Sequence, residues 1–285
     1  MAIKPAEIVR RAVEVGTYKA QLDVPNFLVR GFMAGMLIAT GATLATVCAT
    51  GVEASLGSGF KAMIAGAVFP VGLIVIVITG MSLFTGDTML MPLAVFQGKT
   101  TWRKVGWAWL WVYVGNFAGS LFWAYLMVRG PFHKPGTAEL SAFGQSAVAI
   151  AQLKTVSYAA LGWAGLGSAF VKGIACNILV NAGILLGLSA DDTAGKILGI
   201  WFPIMTFVAC GFEHSVANMY FVPVGIMLGA GVTWFQFLVW NLLPVTLGNI
   251  VGGLVFVAAA YAFCFRRELS PLIESRPAVV ERKVA

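Results

Sequence analysis

The chain has 285 residues, of which 59% are hydrophobic and 11% charged, and a formal net charge of +7. A soluble domain carries roughly 25% charged residues, so this composition excludes one and implies a polytopic, all-α membrane protein. The positive balance does not mark a nucleic-acid face, because most Lys and Arg flank apolar segments and no basic run is interleaved with aromatics. Cys48, Cys176, Cys210 and Cys264 lie in or beside apolar segments without CxxC spacing, which implies neither a disulfide framework nor a zinc site.

Residues 1–26 are amphipathic and charged, carry no cleavable signal pattern, and predict a cytoplasmic helix lying on the membrane surface. A spanning helix needs about 20 mostly apolar residues. Six segments qualify, over 27–50, 63–95, 106–128, 160–190, 197–229 and 239–265. They make one domain over 27–265, with a cytoplasmic tail over 266–285. Fourteen Lys and Arg fall in the N-terminal segment up to Arg30, the 96–105 connection, Lys196 and the tail. The other side holds only Lys61, Arg129, Lys134 and Lys154, so both termini are expected in the cytoplasm of a cell with an inner membrane.

The chain repeats at an offset of 133. Phe69-Pro70 recurs as Phe202-Pro203, and Gly115-Asn116 with Gly119 recurs as Gly248-Asn249 with Gly252. The first and fourth segments match loosely, Ala34-Gly35 beside Lys172-Gly173. Three spans per half would set the halves in opposite orientations, with the substrate path between them where helices break near mid-membrane.

The second and fifth segments are too long for one straight crossing, and each carries polar residues in its middle. Ionisable groups inside a span are expensive and usually line a polar path. Asp87, Lys172, Glu213 and His214 are the candidates. Leu83 to Leu90 reads as a turn at membrane depth, or alternatively as a surface loop between two spans. Cys210 to Met219 reads as a second break, or as a kinked helix whose Glu213, His214 and Asn218 form an internal hydrogen-bonded knot. His133 sits in a loop, which leaves His214 as the span histidine able to change charge near neutral pH.

LFTGDTML (83–90), KGIACN (172–177), GFEHSVANM (211–219) and NLLPVTLGNIVGG (241–253) resemble the formate/nitrite transporter family. The likeness runs over roughly 5–265, and the first and third elements together are specific. The resemblance implies a homopentamer of aquaporin-like protomers in the lipid bilayer, each with its own pore for small monovalent anions or their acids. By the same likeness, an omega-shaped loop with Gly86 and Asp87 falls on Leu83–Leu90. The pore threonine falls on Thr85, the central histidine on His214 and the fourth-helix asparagine on Asn177. The apolar constrictions fall on Phe69 and Phe207 toward the outside, and on Leu73, Phe84 and Val180 toward the cytoplasm. The vestibule lysine falls on Lys154 if seven residues, about two helical turns, are inserted before Asn177; Lys172 is the competitor, or else a helix-packing residue.

An anion cannot cross apolar rings bare, because an isolated buried charge is prohibitive. The residues therefore suggest capture by a lysine and helix N-termini, hydrogen bonding by Thr85 and His214, and passage as the neutral acid. Glu213 and Asp87 are assigned to fastening their loops. No covalent catalyst, metal or cofactor is implied, so the chain is read as a channel and not an enzyme. A water channel would show paired Asn-Pro-Ala elements, an ammonium channel paired pore histidines, and a haem subunit paired axial histidines; none is in the sequence. Formate is the favoured substrate over nitrite, with hydrosulfide and short carboxylates also compatible.

Overall fold

The computed structural model describes residues 3–269, so most of the expected tail, 270–285, lies outside the described residues. It is helical throughout. The helices are α1 (Pro5–Lys19), α2 (Val24–Ala49), α3 (Val52–Val68), α4 (Val71–Thr79), α5 (Phe84–Phe96) and α6 (Trp102–Arg129). After them come α7 (Ala142–Leu153), α8 (Val156–Ala160), α9 (Trp163–Leu188), α10 (Thr193–Ala209), α11 (Ser215–Met227) and α12 (Trp234–Cys264). Five runs are long and apolar enough to span a membrane: α2, the α3–α4 pair, α6, α9 and α12. The α5, α10 and α11 helices are shorter apolar pieces.

Local signals explain the starts. Asp23 accepts from the Asn26 N–H to cap α2, Thr101 caps α6, Asp192 caps α10, and Thr233 with Gln236 forms a capping box on α12. Three features differ from the sequence reading. The second apolar run begins at Val52 rather than near 63, with a kink at Gly57 (φ 81°, ψ 169°). The connection between the halves contains α7 and α8, which at 12 and 5 residues are too short to span. The stretch 83–90 is not a turn, because regular helix already begins at Phe84 and the break occupies 80–83. Gly80, at φ 74°, ends α4 in the left-handed conformation, and Gly211, at φ 67°, does the same after α10. Thr85, Gly86 and Asp87 are helical because the reversal has been completed before them.

Breaking a helix in an apolar interior leaves backbone groups without partners. Two asparagines satisfy them in the same way. Asn116 on α6 accepts from the Phe84 N–H at 2.9 Å and donates to the Gly31 and Ser82 carbonyls at 2.8 and 3.0 Å. Asn249 on α12 accepts from the Ser215 N–H at 2.8 Å and donates to the Gly173 and Glu213 carbonyls at 2.8 and 3.0 Å. The 133-residue offset read in the sequence is thus one bracing device used twice. Both half-helices, α5 and α11, have 13 residues and carry a proline at the ninth, Pro92 and Pro223. Close helix approach serves the same end: a Cβ on Gly35 of α2 would run into the Asn116 backbone.

Asn116→Ala is expected to cost about 2–4 kcal/mol, since it orphans one N–H and two carbonyls at a buried break. Thermal unfolding in detergent checks this; a midpoint equal to wild type would mean that the break finds other partners.

The α1 helix does not stand alone on a surface. Val9, Ala12, Val13 and Gly16 are buried, and Gly16 lies against the Leu90 carbonyl of α5. Arg11 donates to the Leu188 carbonyl at the end of α9 at 3.2 Å and pairs with Asp191 at 2.8 Å. On the outside, Trp107, Phe122, Tyr125, Val171, Phe202, Phe235 and Phe256 are exposed. That much apolar surface suits hydrocarbon and not water.

Candidate functional site

A cavity of about 780 Å³ opens among the ends of α2, α3, α7, α8 and α9 and the break between α10 and α11. Its lining includes Glu53, Lys61, Lys154, Tyr158, Ser168, Lys172, Glu213 and His214. Phe69 and Phe207 also line it, with ring centroids 5.6 Å apart, edge to face, and exposures of 2% and 3%. They form its apolar floor.

His214 lines the cavity beside them, its ring stacked on Phe207 at 5.8 Å and 19°. His214 is the N-cap of α11, and its Nδ1 accepts from the Ala217 N–H at 3.0 Å. Its Nε2 lies 2.9 Å from Thr85 Oγ1, at the start of α5. These contacts fix the tautomer of the neutral ring. A backbone N–H can only donate, so Nδ1 is unprotonated, Nε2 carries the hydrogen, and Thr85 Oγ1 accepts it. The Thr85 hydroxyl hydrogen is then left to donate elsewhere. Two half-helix N-termini thus meet through one histidine and one threonine; the Thr85 hydroxyl hydrogen is free for a small oxyanion, and the His214 Nε2–H becomes so when the two side chains part.

Asn177 sits behind this pair. Its Nδ2 lies 3.1 Å from the Thr85 carbonyl, 2.8 Å from Thr88 Oγ1 and 2.5 Å from the Asn249 carbonyl. It braces the α5 terminus, and Asn181, one turn on, supports the same Thr85 carbonyl at 3.4 Å. Gly253 makes room for this cluster, since a Cβ there would crowd Thr88 Oγ1 and lie 2.9 Å from Asn177 Nδ2. Leu73, Phe84 and Val180 are buried at 2%, 4% and 1%, on α4, α5 and α9. The Phe84 ring packs edge-on against Tyr113 at 4.8 Å and Trp109 at 5.9 Å. Gly86 is buried within α5, where a Cβ would meet Ile184 Cδ1 at 2.6 Å.

Glu213 is 4% exposed and fully engaged. Lys154 Nζ and Asn218 Nδ2 each donate to its Oε2 at 2.7 Å, and the Tyr158 hydroxyl donates to Oε1 at 2.9 Å. Lys154 is the C-cap of α7, and Asn241 donates to its carbonyl at 3.0 Å from a π-helical stretch, Leu238–Leu242. Lys172 also reaches the cavity, with Nζ 3.3 Å from the Tyr158 hydroxyl and 5.3 Å over its ring. Asp87 belongs elsewhere: it is fully buried and pairs with Lys19 Nζ at 2.7 Å, so it fastens α1 to α5 and not a loop to itself.

The structure therefore brings Thr85, His214, Phe69, Phe207, Lys154, Lys172, Glu213 and Asn218 to one cavity and the break beneath it, with Asn177 behind them. Sequence reasoning missed Tyr158, Asn181 and Lys19. None of the three stands out in sequence, because Tyr158 lies in a short connection and Lys19 is one of several N-terminal cations.

A family model described as "Formate/nitrite transporter" matches residues 6–263. A "Probable formate transporter" of Methanothermobacter thermautotrophicus is 40% identical over 275 residues, covering 93% of this chain and 97% of that protein. "Formate channel BtFdhC" of Bacillus thuringiensis is 35% identical, covering 94% of this chain and 97% of its own length. Among solved structures, a "Pentameric formate channel with formate bound" superposes with a TM-score of 0.72 at 32% identity, covering 86% of this chain and 98% of that one.

Proposed function

This chain belongs to the formate/nitrite transporter family and is a multi-pass integral membrane protein, and we propose that it is a homopentameric formate channel whose subunits each carry a pore through the His214–Thr85 pair. The observation that carries this reading is the meeting of His214 Nε2–H and the Thr85 hydroxyl beside the Phe69–Phe207 ring pair. Formate has two acceptor oxygens and no apolar bulk, and a carboxylate entering between the two side chains would accept from both. The related formate transporters and channels, and the formate-bound pentamer, support the same substrate and assembly.

Passage beyond the pair runs along apolar residues, Leu73, Phe84 and Val180, where a bare anion is prohibitive. Formate therefore leaves the pair as formic acid. Formate and one proton from the vestibule give the neutral acid, and His214 carries one hydrogen at Nε2 before and after the passage. Nδ1 is held by Ala217 and takes no part. The vestibule faces outward and both termini are cytoplasmic, following the distribution of Lys and Arg. Reporter fusions after Gly98 and after Lys134 should report the cytoplasm and the outside; the reverse assignment would invert the reading.

Labelled formate uptake into proteoliposomes, with nitrite and lactate as competitors, tests the substrate. Formate is expected to enter, to be inhibited weakly by nitrite and least by the bulkier lactate. Entry of nitrite without formate would make this a nitrite channel instead.

A further inference from the structure

Phe84, the first helical residue of α5, is held by a single face of α6. Its ring packs edge-on against Tyr113, with centroids 4.8 Å apart, and against Trp109 at 5.9 Å. Trp109 Nε1 also donates to the Asp87 carbonyl of α5 at 3.2 Å. The Tyr113 hydroxyl lies 2.7 Å from Thr246 Oγ1 on α12. Asn116 accepts from the Phe84 N–H at 2.9 Å. Positions 109, 113 and 116 share one side of a helix, so the same side grips both the backbone and the ring of Phe84.

The second half of the chain keeps the backbone grip and drops the aromatic one. At the repeat's offset, Trp109, Tyr113 and Asn116 correspond to Leu242, Thr246 and Asn249 on α12. Asn249 braces the Ser215 N–H as Asn116 braces that of Phe84, and Ser215 is likewise the first helical residue of its half-helix. Ser215 has no ring to hold, and Leu242 and Thr246 bring none to it. Rings stand on the bracing helix only where a ring begins the half-helix.

We propose that Tyr113 and Trp109 clamp the Phe84 ring in one rotamer and thereby set the size of substrate that the pore admits, with Tyr113 as the positioning residue. This deepens the formate-channel reading and rests on it, because Phe84 narrows the route only if the route runs past His214 and Thr85 toward the cytoplasm. With its N–H fixed by Asn116, Phe84 can move only by turning about its side-chain bonds. A ring packed edge-on by two others loses that freedom. Released from them, it swings aside and widens the passage. A one-carbon acid passes a fixed ring, whereas a three-carbon hydroxy acid needs the wider opening. Tyr113 is itself held at its far end by Thr246, so the ring that supports Phe84 is supported in turn.

The test compares uptake of labelled formate and labelled lactate into proteoliposomes at equal concentrations and reads the lactate-to-formate ratio. Tyr113→Leu should raise that ratio about three- to tenfold, the scale of one lost edge-to-face aromatic pair. Tyr113→Phe keeps the ring and should keep the wild-type ratio. Phe84→Leu removes the clamped ring and should raise the ratio at least as far. Tyr113→Leu added to Phe84→Leu should raise it no further, because both act through one contact. A role confined to helix packing would lower both uptakes together and leave the ratio alone. Should Tyr113→Leu fail to fold, Trp109→Leu, which removes the other wall of the clamp, decides alone. A wild-type ratio in the leucine variant would overturn the proposal, as would full additivity in the double variant or an equal rise in Tyr113→Phe. If the wild-type protein takes up nitrite but no formate, the substrate reading fails, and the lactate-to-nitrite ratio in the same variants decides the clamp separately.

Discussion

His214→Asn is expected to leave the subunit folded while lowering formate uptake by roughly a hundredfold, the scale of a lost proton-transfer group. The substitution separates two duties that the imidazole performs at once. Nδ1 caps α11 by accepting from Ala217 at 3.0 Å. Asparagine is among the favoured N-cap residues and can accept the same N–H through its side-chain oxygen, so helix stability should change little. Nε2 reaches Thr85 across the break at 2.9 Å. Asparagine is too short to keep both contacts, and its amide does not exchange protons as imidazole does. The expected result is a stably folded protein whose residual uptake no longer rises as the external pH is lowered from about 8 to 5 and external protons become more available. A well-folded variant with the wild-type rate and pH profile would remove His214 from the pathway. A variant that fails to assemble would show that the cap is the larger part of its role. Thr85→Val should be milder, because it removes one hydrogen bond worth about 1 kcal/mol and leaves the ring in place.

Lys154→Met should destabilise the protein by about 3–5 kcal/mol, the usual consequence of removing one partner from a buried ion pair. Glu213 is 4% exposed, and Lys154 is its cationic partner. Asn218 and Tyr158 would still donate to it, but neither supplies charge. A lone carboxylate would then sit at the vestibule wall beside the route of an incoming anion, and uptake should fall at every formate concentration. The double variant Lys154→Met/Glu213→Gln removes both charges and should regain most of the thermal stability. Unfolding of the detergent-solubilised protein, followed by size-exclusion fluorescence against temperature, checks both variants. An unchanged midpoint in the single variant would contradict the pairing, and an unrepaired double variant would mean that Lys154 acts chiefly through its contact with the Phe221 ring.

What the sequence revealed about this molecule depends on whether a feature is local or paired at long range. The membrane class followed from bulk composition, and the breaks were visible because polar residues interrupt two over-long apolar segments. The glycine–asparagine pairs at 115–116 and 248–249 were legible as repeats, though not as the braces that accept from Phe84 and Ser215. The break was misplaced by a few residues. Thr, Gly and Asp favour turns in water, yet at the buried start of α5 their backbone is already helical and the reversal is made by Gly80. Asp87 could not be paired from sequence, since its partner Lys19 lies 68 residues away with no periodic relation to it. Tyr158 was hidden for the same reason: it meets Glu213 across 55 residues and Lys172 across 14. Lys154 and Lys172 both looked plausible as vestibule lysines, and both reach the cavity. What divides them is the carboxylate beside one and not the other.

On the proposed function, formate is expected to cross with a proton, as the neutral acid. The most direct measurement is the proton-to-formate ratio, with labelled formate uptake and the signal of a trapped pH dye recorded together in proteoliposomes and corrected for protein-free vesicles. One proton is expected to reach the lumen for each formate taken up, with both signals lost in parallel in His214→Asn. Formate entry that leaves the lumenal pH unchanged would contradict it, because the anion would then be crossing alone.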